Sequence, residues 1–115
     1  MNFKKSFTKD MRINECKDIM EKNPDKIPVI CEKAPGSKIK ETPKCKYLLK
    51  KQMTVAKFSL LLKEKLNLSE KDALFLIAKE KYTIPGNETI QQIYDKYKDD
   101  DGFLYICYSN KEVWG

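Results

Sequence analysis

The sequence predicts an α+β fold in which helices pack on one sheet, and three observations predict it. Apolar residues recur at helical spacing in three stretches, from Phe3 to Met20, from Val55 to Leu66 and from Ile90 to Tyr97. Short apolar runs bounded by Pro, Gly, Asn and Asp read as strands near 27–32, 44–50, 73–79 and 103–109. The resulting order is helix, helix, strand, strand, helix, strand, helix, strand. A hairpin is therefore followed by a crossover helix and further strands, the pattern of a β-grasp sheet with a helix across one face.

Each element has its own justification. Phe3, Phe7 and Met11 recur every fourth position, and Ile13, Cys16 and Met20 continue at helical spacing. Two short amphipathic helices broken near 10–14 fit this better than one, and Asn23-Pro24-Asp25 ends the region. In the next run Ile27, Val29 and Cys31 alternate with Pro28, Ile30 and Glu32, a strand with apolar residues on both faces. Pro28 has no N–H for a ladder, which places it at the strand's start or on an edge. Pro35, Gly36 and Pro43 punctuate a connection to 44–50, the expected hairpin partner. Thr54 is placed as the N-cap of a helix over 55–68, whose Val55, Phe58, Leu62 and Leu66 share one face. The nearly continuous apolar run 73–79 reads as a central buried strand. Residues 84–88 form a loop, Thr89 caps the next helix, and Asp99-Asp100-Asp101-Gly102 turns the chain into the last strand.

The chain has 115 residues, 41% hydrophobic and 35% charged, enough for a globular core. Its charge is uneven: residues 1–26 carry +2, 27–72 carry +6 and 73–115 carry −2. A basic middle third is either a solvated face or an attraction for something acidic, such as anionic lipid, nucleic acid or peptide. No apolar run approaches the roughly 20 residues of a membrane span, and the N-terminus lacks the apolar core of a secretory signal. Cys16, Cys31, Cys45 and Cys107 form no close pairs and there is no histidine, so neither a metal site nor a disulfide framework is expected. Reduced cysteines point to a cytoplasmic protein. Without a histidine base or a glycine-rich phosphate loop, an enzyme is not expected, and neither is a cofactor.

The stretches "KIPVICEKAP", "KYLL…MTVAKF", "KDALFLIAKE" and "IPGNETIQQIYDKYKDDDGFLYICYSNKEVWG" together resemble the autophagy ubiquitin-like modifiers, the family of GABARAP and the microtubule-associated protein light chains. The resemblance runs from about Phe3 to Gly115. It implies a ubiquitin-like β-grasp domain over 26–115 carrying two additional N-terminal helices over 1–25. It also implies a conjugation tag: Gly115 would be activated and joined by an amide to phosphatidylethanolamine on autophagic membranes. A terminal glycine suits that chemistry, because no Cβ obstructs the narrow channels of activating enzymes. Implied partners are the activating and conjugating enzymes of the autophagy pathway, a deconjugating cysteine protease, phosphatidylethanolamine membranes and receptors with W/F/Y-x-x-L/I/V motifs. Many relatives carry residues after the glycine. None follows here, which reads as either the gene's own end or a processed form. Trp114 stands where relatives usually show tyrosine or phenylalanine.

The resemblance further implies peptide binding on strand 44–50 by strand addition. Carried over by position, Glu15, Ile19, Pro28, Lys46, Leu48 and Phe103 would line a pocket for the aromatic anchor. Tyr47, Leu49, Met53, Phe58 and Leu61 would line one for the aliphatic anchor. Lys44 and Lys46 would face acidic residues upstream of the motif, and Lys50 replaces a proline that many relatives have beside the second pocket. From the residues alone, Leu48 and Leu49 must point to opposite faces. Phe58 and Leu61 suit plain helix core equally well, and the two lysines suit a solvated face. A nucleic-acid binder competes on charge and on six tyrosines, but strand packing claims most of those in 103–109, so no nucleic acid is expected as partner.

Overall fold

A computed structural model describes residues 2–111, which form five strands and four helices. The order is α1 (Asn2–Ser6), α2 (Lys9–Lys22), β1 (Lys26–Lys33), β2 (Lys46–Lys50), α3 (Val55–Lys65), β3 (Phe75–Ala78), β4 (Tyr82–Thr83), α4 (Ile90–Tyr97) and β5 (Leu104–Ser109). The expectations on Trp114 and Gly115 lie outside the described residues.

The sheet order is β2-β1-β5-β3-β4, with β1 and β5 parallel and every other neighbour pair antiparallel. The α+β reading and the β1–β2 hairpin therefore hold. The 73–79 run is not the central strand. β5 takes that place, with all six of its residues buried, while β3 lies one position out, covered by the two-residue β4. β4 is too short to show any periodicity in sequence. The β3–β4 turn is formed by Lys79 and Glu80, both at positive φ, a conformation that turn-forming Gly or Asn would ordinarily announce.

The helices also differ in detail from the sequence reading. No break occurs near 10–14. Thr8 caps α2 by accepting the N–H of Met11 at 3.2 Å, so the chain turns between Ser6 and Lys9. Helix α3 stops at Lys65 rather than 68, because Asn67 enters the left-handed region at φ 57°. Thr54 and Thr89 cap α3 and α4 as expected, and Thr89 with Gln92 completes a capping box. Each of these helix starts also leans on the other's approach: Val55 N–H donates to the Glu88 carbonyl at 2.8 Å, and Ile90 N–H to the Met53 carbonyl at 2.8 Å. Orphan helix donors are thereby satisfied without water.

One side of the sheet buries Ile27, Val29, Leu104, Ile106 and Tyr108 against Phe58 and Leu62 of α3 and Ile90 and Ile93 of α4. The opposite side packs Ile30, Phe103 and Tyr105 against Phe3 of α1 and Cys16 of α2.

Candidate functional site

Strand β2 is one edge of the sheet, and its backbone sets what that edge offers. Cys31 N–H donates to the Cys45 carbonyl at 2.7 Å, and the register continues as Val29↔Tyr47 and Ile27↔Leu49. In an antiparallel ladder these alternate residues exchange the hydrogen bonds. Tyr47 and Leu49 therefore direct their backbone groups inward to β1, while Lys46 and Leu48 direct theirs outward, where no further strand pairs among the described residues. The same parity explains Pro28. It is the third residue of an interior strand, neither first nor on an edge. It stands opposite Leu48 at a non-hydrogen-bonded position, and pairing with β5 begins only at Val29. Its missing N–H costs neither ladder a bond.

Side chains follow the same period of two. Tyr47 and Leu49 point into the α3/α4 core, where Tyr47 meets the Phe58 ring edge-on at 5.4 Å and Phe58 is 0% exposed. Met53 packs against that core from a half-buried position, and Leu61 is likewise half-buried. Lys46, Leu48 and Lys50 point to the other face and are exposed, Leu48 by 38%. Of the residues assigned to the first pocket, all six lie on this second face. Ile19 and Phe103 belong to its apolar cluster, Pro28 is buried opposite Leu48, and Glu15 accepts from Lys46 at 2.5 Å. Of the second group, Tyr47, Leu49 and Phe58 are closed core in this structure.

The lysines sit in different surroundings. The Lys46 ammonium, besides its Glu15 partner, stands 5.5 Å from the Phe3 ring centre and 5.9 Å from that of Phe7. Lys44 lies 5.1 Å from the Tyr47 ring centre. Lys50 faces Lys26 directly across the ladder.

A latch that the sequence reading missed secures the helices on this face. Asp101, its side chain fully buried, accepts from Arg12 at 2.5 Å, from the Tyr105 hydroxyl at 2.5 Å and from the Phe103 N–H at 2.9 Å. Arg12 Nε also donates to the Phe7 carbonyl at 3.2 Å, which ties the α1–α2 turn to the same point. Burial, reinforced by the Asp101 hydrogen bond, pushes the Tyr105 hydroxyl well up, so it stays a donor. Lys4 meets Asp99 at 2.6 Å. Desolvation works against Asp99 ionising, but the hydrogen bonds from Lys4 and the Asp101 N–H prevail and hold it below the usual carboxylate range. In sequence "DDDG" signals only a turn; nothing distinguishes its third aspartate as a buried anchor.

Gly102 follows at φ +94°, and a Cβ there would come within 2.8 Å of Cys16 Sγ, so α2 packs this close only over a glycine. Burial pushes the Cys16 and Cys107 thiols up to about 11 and raises that of Cys31 as well, so these cysteines stay protonated at neutral pH.

Comparison with known proteins converges on one family. The family model for "Autophagy protein Atg8 ubiquitin like" matches residues 11–115. Autophagy-related protein 8i of Arabidopsis thaliana is 37% identical, with 99% of this chain and 98% of that protein aligned. Autophagy-related protein 8 of Schizosaccharomyces pombe is 39% identical over 98% of this chain and 93% of its own. The crystal structure of Trypanosoma brucei ATG8 superposes with a TM-score of 0.89 at 37% identity, covering 95% of this chain and 93% of the other.

Proposed function

The chain belongs to the Atg8 ubiquitin-like family of autophagy proteins, and from that premise we propose that it is a modifier conjugated through Gly115 to phosphatidylethanolamine, which then recruits aromatic-x-x-aliphatic peptides to the membrane. Members of this family are ubiquitin-like modifiers rather than enzymes. The observation that carries the first half is the extent of the family match, which runs to residue 115. On this reading Gly115 takes the part of the family's reacting glycine. The activating and conjugating enzymes supply the chemistry, and a cysteine protease of the pathway reverses it. No helix among the described residues is long and apolar enough to cross a membrane. On this reading the protein is cytoplasmic until the lipid is attached and sits on autophagic membranes thereafter.

The docking half rests on the β2 edge. An incoming strand would pair with the outward groups of Lys46 and Leu48. Its aromatic anchor would enter among Glu15, Ile19, Pro28, Lys46, Leu48 and Phe103. The aliphatic anchor would lie over Tyr47, Leu49, Met53, Phe58 and Leu61, which requires that part of the core to open. Lys44 and Lys46 receive the upstream flank.

Reconstitution with the family's enzymes, ATP and phosphatidylethanolamine liposomes tests the conjugation. A lipid adduct detected by mass on wild type and lost in Gly115→Ala is the expected result. No adduct on either, with the enzymes active on a control substrate, would leave a non-lipidated peptide-binding adaptor as the better account.

A further inference from the structure

The long β1–β2 connection and the strand that leads to the tail leave the sheet at the same end. β1 runs parallel to β5, with Lys33 beside Tyr108, so the chain enters the connection where β5 finishes. Tyr108 fastens the connection there. Its carbonyl accepts from Ala34 N–H at 2.9 Å, and its hydroxyl accepts from Thr42 N–H at 2.9 Å and donates to the Lys40 carbonyl at 3.2 Å. Ser37 Oγ donates to Asn110 Oδ1 at 3.4 Å, joining the connection to the residue that follows β5. Ile39 packs against the core under α3 and α4, while its neighbours Lys38 and Lys40 are exposed, as is Lys111. The one acidic residue of the connection, Glu41, lies 3.8 Å from Lys33. Among the described residues, Lys38, Lys40 and Lys111 enter no ion pair. Gly115 lies four residues beyond Lys111, at most about 14 Å of extended chain.

Resting on the conjugation reading above, we propose that Lys38, Lys40 and Lys111 form the surface that the lipidated protein lays against the bilayer, where they take the phosphate and carboxylate groups of anionic phospholipids. A lipid joined at Gly115 brings the headgroups within that short reach of Lys111. The end of the sheet that carries the tail therefore faces them. Ammonium groups held there are drawn to a negative leaflet, an attraction that fades beyond a Debye length of about 8–10 Å. The far end of the sheet lies outside that range. β3 is antiparallel to β5, so its turn at Lys79 and Glu80 stands with Lys50 and Lys98 about 20 Å away, the length of β5. The occupant is a lipid surface rather than a peptide, because the connection offers no open ladder. Its Ala34 and Thr42 N–H groups and its Lys40 carbonyl are already bonded to Tyr108, which leaves side-chain cations as what it presents. Such a surface asks for negative charge and no particular backbone.

Chemical coupling separates this surface from the conjugating enzymes. A Gly115→Cys/Cys45→Ser variant, whose remaining cysteines Cys16, Cys31 and Cys107 are buried, is joined to maleimide-phosphatidylethanolamine in vesicles. One set of vesicles is otherwise phosphatidylcholine, and the other contains phosphatidylserine as well. Lysines are then acetylated briefly with an N-hydroxysuccinimide ester and read one by one by mass spectrometry. The expected result is that Lys38, Lys40 and Lys111 react about three-fold more slowly on the phosphatidylserine vesicles, a difference that high salt removes. Lys50 and Lys98, at the far end, react equally on both. Equal labelling of Lys38, Lys40 and Lys111 on the two vesicles overturns the proposal and leaves conjugation at Gly115 intact. Protection as strong at Lys50 and Lys98 overturns it too, since the molecule would then lie on another face. Absence of a lipid adduct in the enzymatic reconstitution would instead remove the conjugation reading, and this surface with it.

Discussion

The two faces of the sheet are built by different physics. Under α3 and α4 the contacts are aliphatic and aromatic: Phe58, Leu62, Ile90, Ile93, Leu104 and Ile106 are all fully buried. Under α1 and α2 a small aromatic cluster of Phe3, Phe103 and Tyr105 is held shut by charge, through Arg12–Asp101, Lys4–Asp99 and Lys46–Glu15. The first face is held by removal of apolar surface from water, which acts without regard to direction. The second depends on a few directional bonds that each fail if one partner is lost. The fold rests on one face and the placement of the N-terminal helices on the other.

The largest expected effect lies on the first face. Phe58→Ala removes a ring from a fully buried site and should cost about 4 kcal/mol, seen as a drop in the midpoint of chemical denaturation for the whole domain. An unchanged midpoint would mean that this core is looser than its burial indicates. Next comes Asp101→Ala, which strands Arg12, the Tyr105 hydroxyl and the Phe103 N–H together, for about 3 kcal/mol. Hydrogen exchange should then quicken in α2 well before it does in α3. Equal acceleration in both helices would erase the distinction between the faces.

Gly102→Ala should cost about 2 kcal/mol, because alanine is strained at φ +94° and its Cβ meets Cys16. A Gly102→Ala/Cys16→Ala pair that recovers part of the loss would separate the clash from the backbone strain. The smallest effect belongs to pH. Asp99 is held below its ordinary value of 3.8, so the Lys4–Asp99 contribution is fully present above that value and is lost as pH falls below it. The pair is partly exposed, so its loss should be worth well under about 1 kcal/mol and appear as faster exchange in α1 alone. Lys4→Gln should abolish that pH dependence.

These faces were not equally legible in the sequence. Val55, Phe58, Leu62 and Leu66 announce their helix by spacing, and Thr54 and Thr89 announce their caps, because burial and capping leave periodic or local marks. The hairpin was equally plain. The Asp101 latch was not, since its partners lie far apart in sequence and a buried aspartate looks like any turn aspartate. The α1–α2 break was misplaced although Thr8 caps α2 by the same bond to the third N–H that Thr54 and Thr89 make; the continuous helical spacing from Phe3 to Met20 masked that mark. At the candidate site, the positions of Lys46 and Leu48 on one face follow from the period of two, whereas Glu15 reaches that face only through the packing of α2. The opposition of Lys26 and Lys50 does not follow from that period either, because register depends on a connection of a dozen residues. That connection is pinned only in three dimensions, by the Tyr108 hydroxyl, which accepts from Thr42 N–H and donates to the Lys40 carbonyl.

An open edge strand carries a hazard of its own, since any unpaired ladder can recruit a second copy of itself. Two β2 strands meeting antiparallel about Leu48 would set Lys46 of each against Lys50 of the other, four ammonium groups with apolar contact only at the centre. Pairing of like with like is thereby penalised. Lys46 and Lys50 thus disfavour pairing of two copies through the edge that β2 leaves open.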